Sequence, residues 1–527
     1  MRKFSSYGPI NTNQNYYVPR TELIELTTQQ LLGEDFAVGG HYITVWAPRQ
    51  QGKSWVMQQV LWRLQQQQQV NTIALSLQKF GFMANQMEVI QGIAAEIQSL
   101  LNLPHLGITS FNDFESLFRV DVLDKPLILI LDEFDSLSAE VIRGFVGIFR
   151  DIYMQRLYQT HLTNPYLLHG VALIGVRAVL GVENVTGSPF NVQRSLHVPN
   201  LTYQEVDSMF HWYERESGQM VEQAVIDRLF YETQGQPGLT SWLGEQLTEA
   251  YNKTPDQPIT MSQFEDMYGA ALAILPNNNI LNIVSKAKQE PYKEVVLELF
   301  KTEEKSLFRY DDSIVNFLYM NGVVDWEKEG TNYYLKFPCP FVQKRLFNYF
   351  AQDLFHYMGK IHYGLEDMSA IITETSLNIP NLLRRYEQYL QKNRTWLLKD
   401  APRRHDLRLY EAVYHFNFYM YLFQFLRGYQ GQVWPEFPTG NGEIDIIINY
   451  SQQLYALEVK SFTTLAELRQ AHLQAVRYGK SLQLTQVWLI LFIDNIDEAS
   501  RTKYEVDYYD EPTGVTVKPV FVVVGEE

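Results

Sequence analysis

Three groups of residues in this 527-residue chain have types and spacings suited to chemistry on phosphate esters. The first is Ala47-Pro48-Arg49-Gln50-Gln51-Gly52-Lys53-Ser54, which follows a short apolar run, Tyr42 to Trp46, and precedes a helical pattern at Trp55, Val56, Val60, Leu61 and Leu64. Strand, loop, Gly-Lys-Ser and helix is the context of a phosphate-binding P-loop. Backbone N–H groups along Ala47 to Gly52 and the helix N-terminus would face the phosphates. Lys53 would reach the β and γ phosphates, and the Ser54 hydroxyl would sit on Mg²⁺. Ala47 stands where the pattern has glycine, which is favoured there because it accepts positive φ. Alanine serves if φ stays negative, so the loop reads as a variant.

The second group is Asp132-Glu133, at the end of Pro126-Leu-Ile-Leu-Ile-Leu131. A run this apolar reads as a strand buried on both faces of a helix-covered parallel sheet. Asp132 at its tip could hold Mg²⁺ through water, and Glu133 could orient or deprotonate an attacking water. The alternative is a pair of helix-capping carboxylates. The spacing after the loop favours the nucleotide reading, because both motifs then lie at the carboxyl edge of one sheet. Arg177 follows another buried run, Val171 to Val176. It is either a γ-phosphate sensor or an arginine paired to a sheet-edge carboxylate.

The third group is Asp445 with Glu458-Val459-Lys460. Strand alternation puts Glu458 and Lys460 on one face, and Asp445 on the preceding strand could face them. Two carboxylates and a lysine in a narrow space can bind a divalent metal, with the lysine activating water or neutralising phosphate charge. Any one of these charges could instead face solvent. As a set they sit in apolar runs, Ile446 to Ile448 and Leu454 to Leu457, where charges need partners.

Around these groups, residues 1–18 are polar and read as an arm, and Thr21 is the expected cap of a helix opening at Pro19. The five-glutamine run Gln65 to Gln69 reads as a helix end and turn. Asn71 to Leu77 is a second strand, and residues 85–101 are helical. Gly235-Gln-Pro-Gly238 is a simple turn or a loop that packs near the nucleotide. Residues 350–400 are helical and aromatic-rich. An amphipathic helix opens at Asp406, carries Glu411 and runs to about Arg427. A turn at Gly440 to Glu443, a hairpin at Asn449 to Gln453 and a strand at Val487 to Ile493 complete the last stretch.

Length implies two to four domains. Hydrophobic residues make 46% of the chain and charged residues 20%, an ordinary globular composition. The single cysteine, Cys339, excludes a disulfide framework and a cysteine-based zinc site. No apolar run reaches the ~18 residues of a membrane span, and the N-terminus lacks an apolar signal core. A soluble, cytoplasmic protein with no membrane partner is expected. The net charge of −16 excludes a wholly basic DNA-coating protein but not a local basic groove. The dense basic stretch holds Arg384, Arg385, Lys392, Arg394, Lys399, Arg403, Arg404 and Arg408 against Glu387, Asp400 and Asp406. It reads as a solvated helix face or as a nucleic-acid backbone contact.

Two resemblances organise these readings. Tyr17-Val-Pro-Arg20, Ala47 to Ser54, Leu131-Asp-Glu-Phe-Asp135, and Ser188-Pro-Phe-Asn-Val192 with Leu201-Thr-Tyr-Gln-Glu205 resemble the AAA-like ATPases close to the archaeal-ATPase and STAND groups. The resemblance spans about residues 15–250 and implies a nucleotide-controlled switch with an attached effector. A winged-helix module often follows, and residues 292–350 suit it, with Asn321 to Trp326 and Asn332 to Phe337 as a β-wing around Glu329-Gly330. Glu411, Asp445, Glu458-x-Lys460 and Gln474-Ala-Val-Arg-Tyr478 resemble the PD-(D/E)xK nuclease superfamily over about residues 400–527. Ile444 stands where that superfamily has a proline. This second resemblance implies a Mg²⁺- or Mn²⁺-dependent phosphodiesterase: Asp445 and Glu458 ligate metal, Glu411 helps hold it, Lys460 positions or activates water, and Gln474 and Tyr478 shape the site.

The expected architecture is α/β and multidomain: an arm (1–18), a P-loop parallel-sheet ATPase (19–250), a helical/winged-helix middle (251–350), a helical linker (351–400) and an α/β nuclease-like domain (401–527). The expected function is an ATP-regulated, metal-dependent nuclease, acting on DNA in preference to RNA, in defence against foreign nucleic acid. ATP and Mg²⁺ (or Mn²⁺) are the expected cofactors, with nucleic acid, further copies of the chain and a protein trigger as partners. The competing readings are a nucleic-acid remodeller and a nucleotide-switched oligomerising scaffold, each with a binding-only nuclease fold.

Overall fold

The apolar run Leu168–Gly175, buried along its whole length, is the middle strand of a five-stranded parallel sheet. A computed structural model of the chain describes residues 1–8, 10–83, 85–158, 165–175, 193–300, 305–362, 366–403, 405, 409–436, 444–461 and 465–525. These divide into two compact units, Met1–Asn279 with Tyr310–Gly322, and Ile280–Arg309 with Val323–Glu527.

In the first unit the elements run α1 (Thr21–Leu32), β1 (Tyr42–Trp46), α2 (Lys53–Gln65), β2 (Asn71–Ser76), α3 (Gln86–Leu101), α4 (Phe111–Ser116), β3 (Leu127–Asp132), α5 (Ala139–Tyr158), β4 (Leu168–Gly175), β5 (Gln193–His197), α6 (Tyr203–Ser217), α7 (Gln223–Thr233), α8 (Pro237–Glu245) and α9 (Met261–Ala273). The sheet order is β2-β3-β4-β1-β5, every pair parallel. One face packs α3 and α5 through Ile90, Ile97, Phe145 and Phe149. The other packs α1 and α2 through Ile24, Val56 and Val60. Burial on both faces is why these strands read as unbroken apolar runs rather than alternating ones.

Two sequence expectations change here, and a third is untested. Thr21 does not cap α1: it is the first helical residue, and the N-cap is Arg20. The N-terminal arm is docked rather than loose. Phe4 is buried against Tyr16, Phe210 and Tyr213, and Arg2 and Lys3 pair with Glu216 and Glu249. Arg177 and the Ser188-to-Val192 motif lie outside the described residues.

From Ile280 the second unit takes up α10 (Asn278–Ala287) and α11 (Tyr292–Glu298); α12 (Ser313–Met320) belongs to the first unit. The second unit continues with β6 (Asp325–Glu329), β7 (Asn332–Lys336), α13 (Pro340–Phe355), α14 (Ile379–Leu397), α15 (Glu411–Arg427), β8 (Gln432–Glu436), β9 (Ile444–Tyr450), β10 (Gln453–Ser461), α16 (Leu465–Ser481), β11 (Gln486–Ile493), α17 (Glu498–Tyr504), β12 (Tyr508–Asp510) and β13 (Val515–Val523). Strands β6 and β7 form the expected hairpin, turning at Gly330. The large sheet has the order β12-β13-β11-β10-β9-β8. Strands β8, β9 and β10 are antiparallel neighbours, while β11 runs parallel to β10 and to β13. The β9–β10 turn needs positive φ at both Ser451 and Gln452 (49° and 65°), the geometry of a tight two-residue hairpin.

Helix α15 is not amphipathic as expected. Fourteen of its residues, from Glu411 to Leu426, are buried, so it is a core helix wrapped on all sides. In the basic stretch Lys392 and Lys399 are exposed, as a solvated face requires, but its first two arginines are tied to acids. Arg384 holds Glu505 at 2.7 Å and the Phe521 carbonyl at 2.8 Å, and Arg385 holds Glu366 at 2.7 Å. These two arginines clamp elements within the unit. Arg404, Asp406 and Arg408 lie outside the described residues.

Candidate functional site

The nucleotide-type site is built where β1 ends. Its final residue, Trp46, hands over to Ala47, which is fully buried and stays out of the left-handed region. The loop's positive φ values fall instead at Gln50 (58°) and Gly52 (82°), the latter capping α2. Alanine at 47 therefore carries no backbone strain. Lys53 curls back over the loop, and its Nζ donates to the carbonyls of Ala47 and Pro48, both at 2.8 Å. Burial pushes this ammonium down to about 8, although the carboxylates of Asp135, Asp132 and Glu133 pull the other way.

Strand β3 delivers its carboxylates to the same edge. Ser54 Oγ donates to Asp132 Oδ2 at 2.7 Å, joining the loop helix to the strand tip. Glu133 sits at φ 56°, a conformation that non-glycine residues rarely adopt. It is held there by its N–H bond to Asp132 Oδ1 (2.8 Å) and by Ser76 Oγ donating to its Oε2 (2.7 Å). Ser54 and Asp132 are thus gathered as the pair that would hold Mg²⁺, a hydroxyl beside a carboxylate being a hard-oxygen donor set suited to it.

The Gly235-to-Gly238 segment resolves as the loop alternative. Gln236 Nε2 donates to the carbonyls of Arg49 and Gln50 (3.2 and 3.3 Å), and Gly238 N–H donates to the Gln50 carbonyl at 3.0 Å. A Cβ on Gly238 would stand 2.5 Å from Gln50 Cβ, so the two segments meet backbone to backbone. On the loop's other side Gln51 Nε2 donates to Asn200 Oδ1 at 2.7 Å. His197 lies tilted against Trp46, ring centroids 4.4 Å apart, and burial together with the nearby Lys53 holds its imidazole below the usual range. Sequence reading missed Ser76, His197 and Asn200, which carry no motif of their own. Gln236 had a signal in its glycine-proline surroundings.

The second site lies on the large sheet of the other unit. Register pairs Asp445 of β9 directly with Glu458 of β10, so the two carboxylates share a face. Lys460 Nζ lies 3.5 Å from Glu458 Oε1 on that face. Asp445, Glu458 and Lys460 are all buried. Helix α16 covers the same face through Ala471, Ala475 and Tyr478, which pack on Ile447, Ala456, Leu489 and Leu491. Gln474 and Tyr478, one helical turn apart, are therefore on the helix that roofs the carboxylates.

Sequence reading missed Glu436. It pairs in register with Asp445 from β8, making a row of three acids across adjacent strands. Like charges placed directly opposite destabilise a sheet unless cations intervene. Lys460 meets Glu458, and Lys344 of α13, fully buried, meets Glu436 at 2.8 Å. Glu411 is the first residue of α15 and is buried. Further along that helix His415 Nε2 lies 2.7 Å from Ser461 Oγ and Phe418 meets Phe492, on the sheet face opposite Glu458 and Lys460. Among the described residues no group of three His, Cys, Asp or Glu side chains is arranged to hold a metal ion. The charged row on this sheet is three carboxylates, Glu436, Asp445 and Glu458, met by Lys344 and Lys460.

A family model described as an AAA-like domain matches residues 5–273. No curated protein matches the chain by sequence. Among solved structures, the chain is similar to the Walker-type ATPase of Pyrococcus abyssi (13% identity, 65% of this chain and 99% of that one, TM-score 0.43). It is also similar to the Aeropyrum pernix Orc1 protein in complex with DNA (14% identity, 63% and 93%, TM-score 0.35). A third similar structure is Cdc6p of Pyrobaculum aerophilum (17% identity, 63% and 94%, TM-score 0.34).

Proposed function

This chain belongs to the AAA-like domain family of P-loop ATPases, and from that premise we propose that it is an ATP-regulated, metal-dependent nuclease. The observation that carries the proposal is the register pairing of Asp445 with Glu458, with Lys460 beside them on a buried sheet face. Two buried carboxylates and one lysine leave a net negative charge that a divalent cation would neutralise.

In the ATPase half, Lys53 leaves the Ala47 and Pro48 carbonyls to meet the β and γ phosphates. Ser54 and Asp132 would hold Mg²⁺, which would supply charge neutralisation to the phosphates. Glu133, fixed by Ser76, orients the attacking water. In the nuclease half, Asp445 and Glu458 would hold Mg²⁺ or Mn²⁺, which would supply Lewis-acid stabilisation. Lys460 positions the nucleophilic water or meets the developing phosphate charge, under the α16 roof of Gln474 and Tyr478. The reading extends to DNA in preference to RNA, assembly of several copies, and a role in defence. The division into arm, ATPase, winged-helix middle, linker and nuclease-like end is part of the same proposal.

One observation favours a second reading, a nucleotide-switched nucleic-acid binder. Among the described residues no three His, Cys, Asp or Glu side chains are arranged to hold a metal ion, which suits a sheet that binds without cutting. Plasmid and RNA cleavage with and without ATP and Mn²⁺ separates the two. Wild type should cleave, Lys460→Ala and Glu458→Ala should not, and Lys53→Ala should alter the response to ATP. Cleavage that survives Glu458→Ala would refute the site; ATP hydrolysis with no nicking in Mn²⁺ would establish the binder.

A further inference from the structure

Beside the acidic pair the second unit holds a cavity of about 500 Å³ that the site described above does not use. That volume is in the range of small-molecule sites, about 300–1,000 Å³. Register fixes its position. Leu491, on its wall, pairs with Lys460 on one side and with Phe521, also on the wall, on the other. Neighbouring strands lie about 4.8 Å apart, so the cavity begins one strand away from Lys460 and on the same face. Leu468 of α16, the helix that roofs Asp445 and Glu458, closes it from above.

The lining excludes a phosphate. Its charged group is Asp497, whose carboxylate accepts from Ser500 N–H at 2.7 Å and faces Ser500 Oγ at 3.1 Å, capping α17. An anion would meet a carboxylate there with no lysine or arginine on the wall. The lining suits a flat, neutral, aromatic ligand instead. Phe521 and Tyr504 offer ring surfaces and Leu468 and Leu491 apolar ones. Asn495 brings an amide that both donates and accepts, the pairing chemistry of a base edge. A phosphate at the carboxylate–lysine site and a base one strand away are the two ends of one nucleotide.

We propose that this cavity seats an unpaired nucleobase next to the phosphate to be cut, and hence that the substrate class is single-stranded nucleic acid or a locally unpaired nucleotide. The proposal rests on the nuclease reading of Asp445, Glu458 and Lys460. A base stacked in a duplex cannot enter such a cavity without being extruded, which costs unstacking energy.

The test uses the full chain with Mn²⁺ and end-labelled strands, single or as a blunt duplex, in DNA and RNA forms. Wild type should cleave the single strand with a kcat/KM about tenfold above the duplex, as expected for one stacked base. Leu468→Trp, which fills the cavity, should abolish that preference, as should an abasic nucleotide beside the cut. Asn495→Ala, at an exposed rim position, serves if Leu468→Trp does not fold. Equal cleavage of both forms by wild type overturns the cavity assignment and leaves the nuclease standing. Absence of cleavage by wild type removes the nuclease reading. Binding of a single strand carrying 2-aminopurine to Lys460→Ala then reads the cavity alone. Quenching lost on adding Leu468→Trp supports it, and no quenching, or quenching that persists, overturns it.

Discussion

Raising the pH from 7 to 9 should weaken Mg-ATP binding about tenfold, through Lys53 alone. In the nucleotide-free loop Lys53 is shielded from water and bonded to two carbonyls, and its ammonium is pushed down to about 8. Phosphates favour the charged form, so the bound lysine titrates higher than the free one. Binding above pH 8 must therefore take up a proton, and affinity falls as pH rises. The charged fraction of the free protein drops from about 0.9 at pH 7 to about 0.1 at pH 9, and each unit above 8 costs about 1.4 kcal/mol. The nucleotide's own second phosphate ionisation, at about 6, is complete below this window. Titration calorimetry in two buffers of different ionisation enthalpy measures the proton directly, with uptake of about half a proton expected at pH 8. Lys53→Arg stays charged throughout and should bind with a flat pH profile. A wild-type affinity that is constant between pH 7 and 9, or a net proton release, would refute the argument.

Three further outcomes follow from the packing. Gly238→Ala drives a Cβ to within 2.5 Å of Gln50 Cβ; overpacking of about 1–3 kcal/mol should loosen the loop and weaken ATP binding about tenfold, whereas an unchanged nucleotide affinity would break the link between α8 and the loop. Glu387 gathers Arg501 at 2.8 Å and the Val523 N–H at 3.0 Å, so Glu387→Ala should cost the second unit about 3 kcal/mol, read as a lower urea midpoint for that unit. Burial pushes His415 down to about 3, with Lys460 adding to the effect, so it is neutral when folded. Its stabilising contribution is complete above its unfolded value of about 6.5 and fades as pH falls towards 3, by about 1.4 kcal/mol per unit. Acid titration of wild type against His415→Leu should show the variant's stability falling less steeply across that window.

Local patterns were legible where the chain's own period carries them. The P-loop strand and helix, the apolar β3 and β4 runs, the β6–β7 hairpin and the Glu458-x-Lys460 face follow from sequence spacing and strand alternation. Elements whose surroundings come from elsewhere were misread. Helix α15 shows a polar-apolar pattern yet is buried all round, because its tyrosines, His415 and Asn417 find partners inside the unit: Asn417 accepts from Tyr386 and His415 meets Ser461. The arm looks soluble because of its asparagines, but Phe4 anchors it on α6. The arginines at 384 and 385 look like a basic surface until Glu505 and Glu366 arrive from distant positions.

The sequence by itself determined which residue types stand at each strand tip: Lys53 and Ser54 after β1, Asp132 and Glu133 after β3, and a carboxylate and lysine two apart on β10. Only the tertiary structure decided which of them meet. Ser54 bonds Asp132 because β4 places β1 and β3 a fixed distance apart in one sheet. Asp445 faces Glu458, with Glu436 and Lys344 beside them, because the register of β8, β9 and β10 puts them in one row. His415 meets Ser461 because α15 packs on the sheet's other face. Register is set by which face each strand buries, and a slip of one residue would turn every one of these side chains to the other side. That choice belongs to the packed sheet and not to any one segment of the chain.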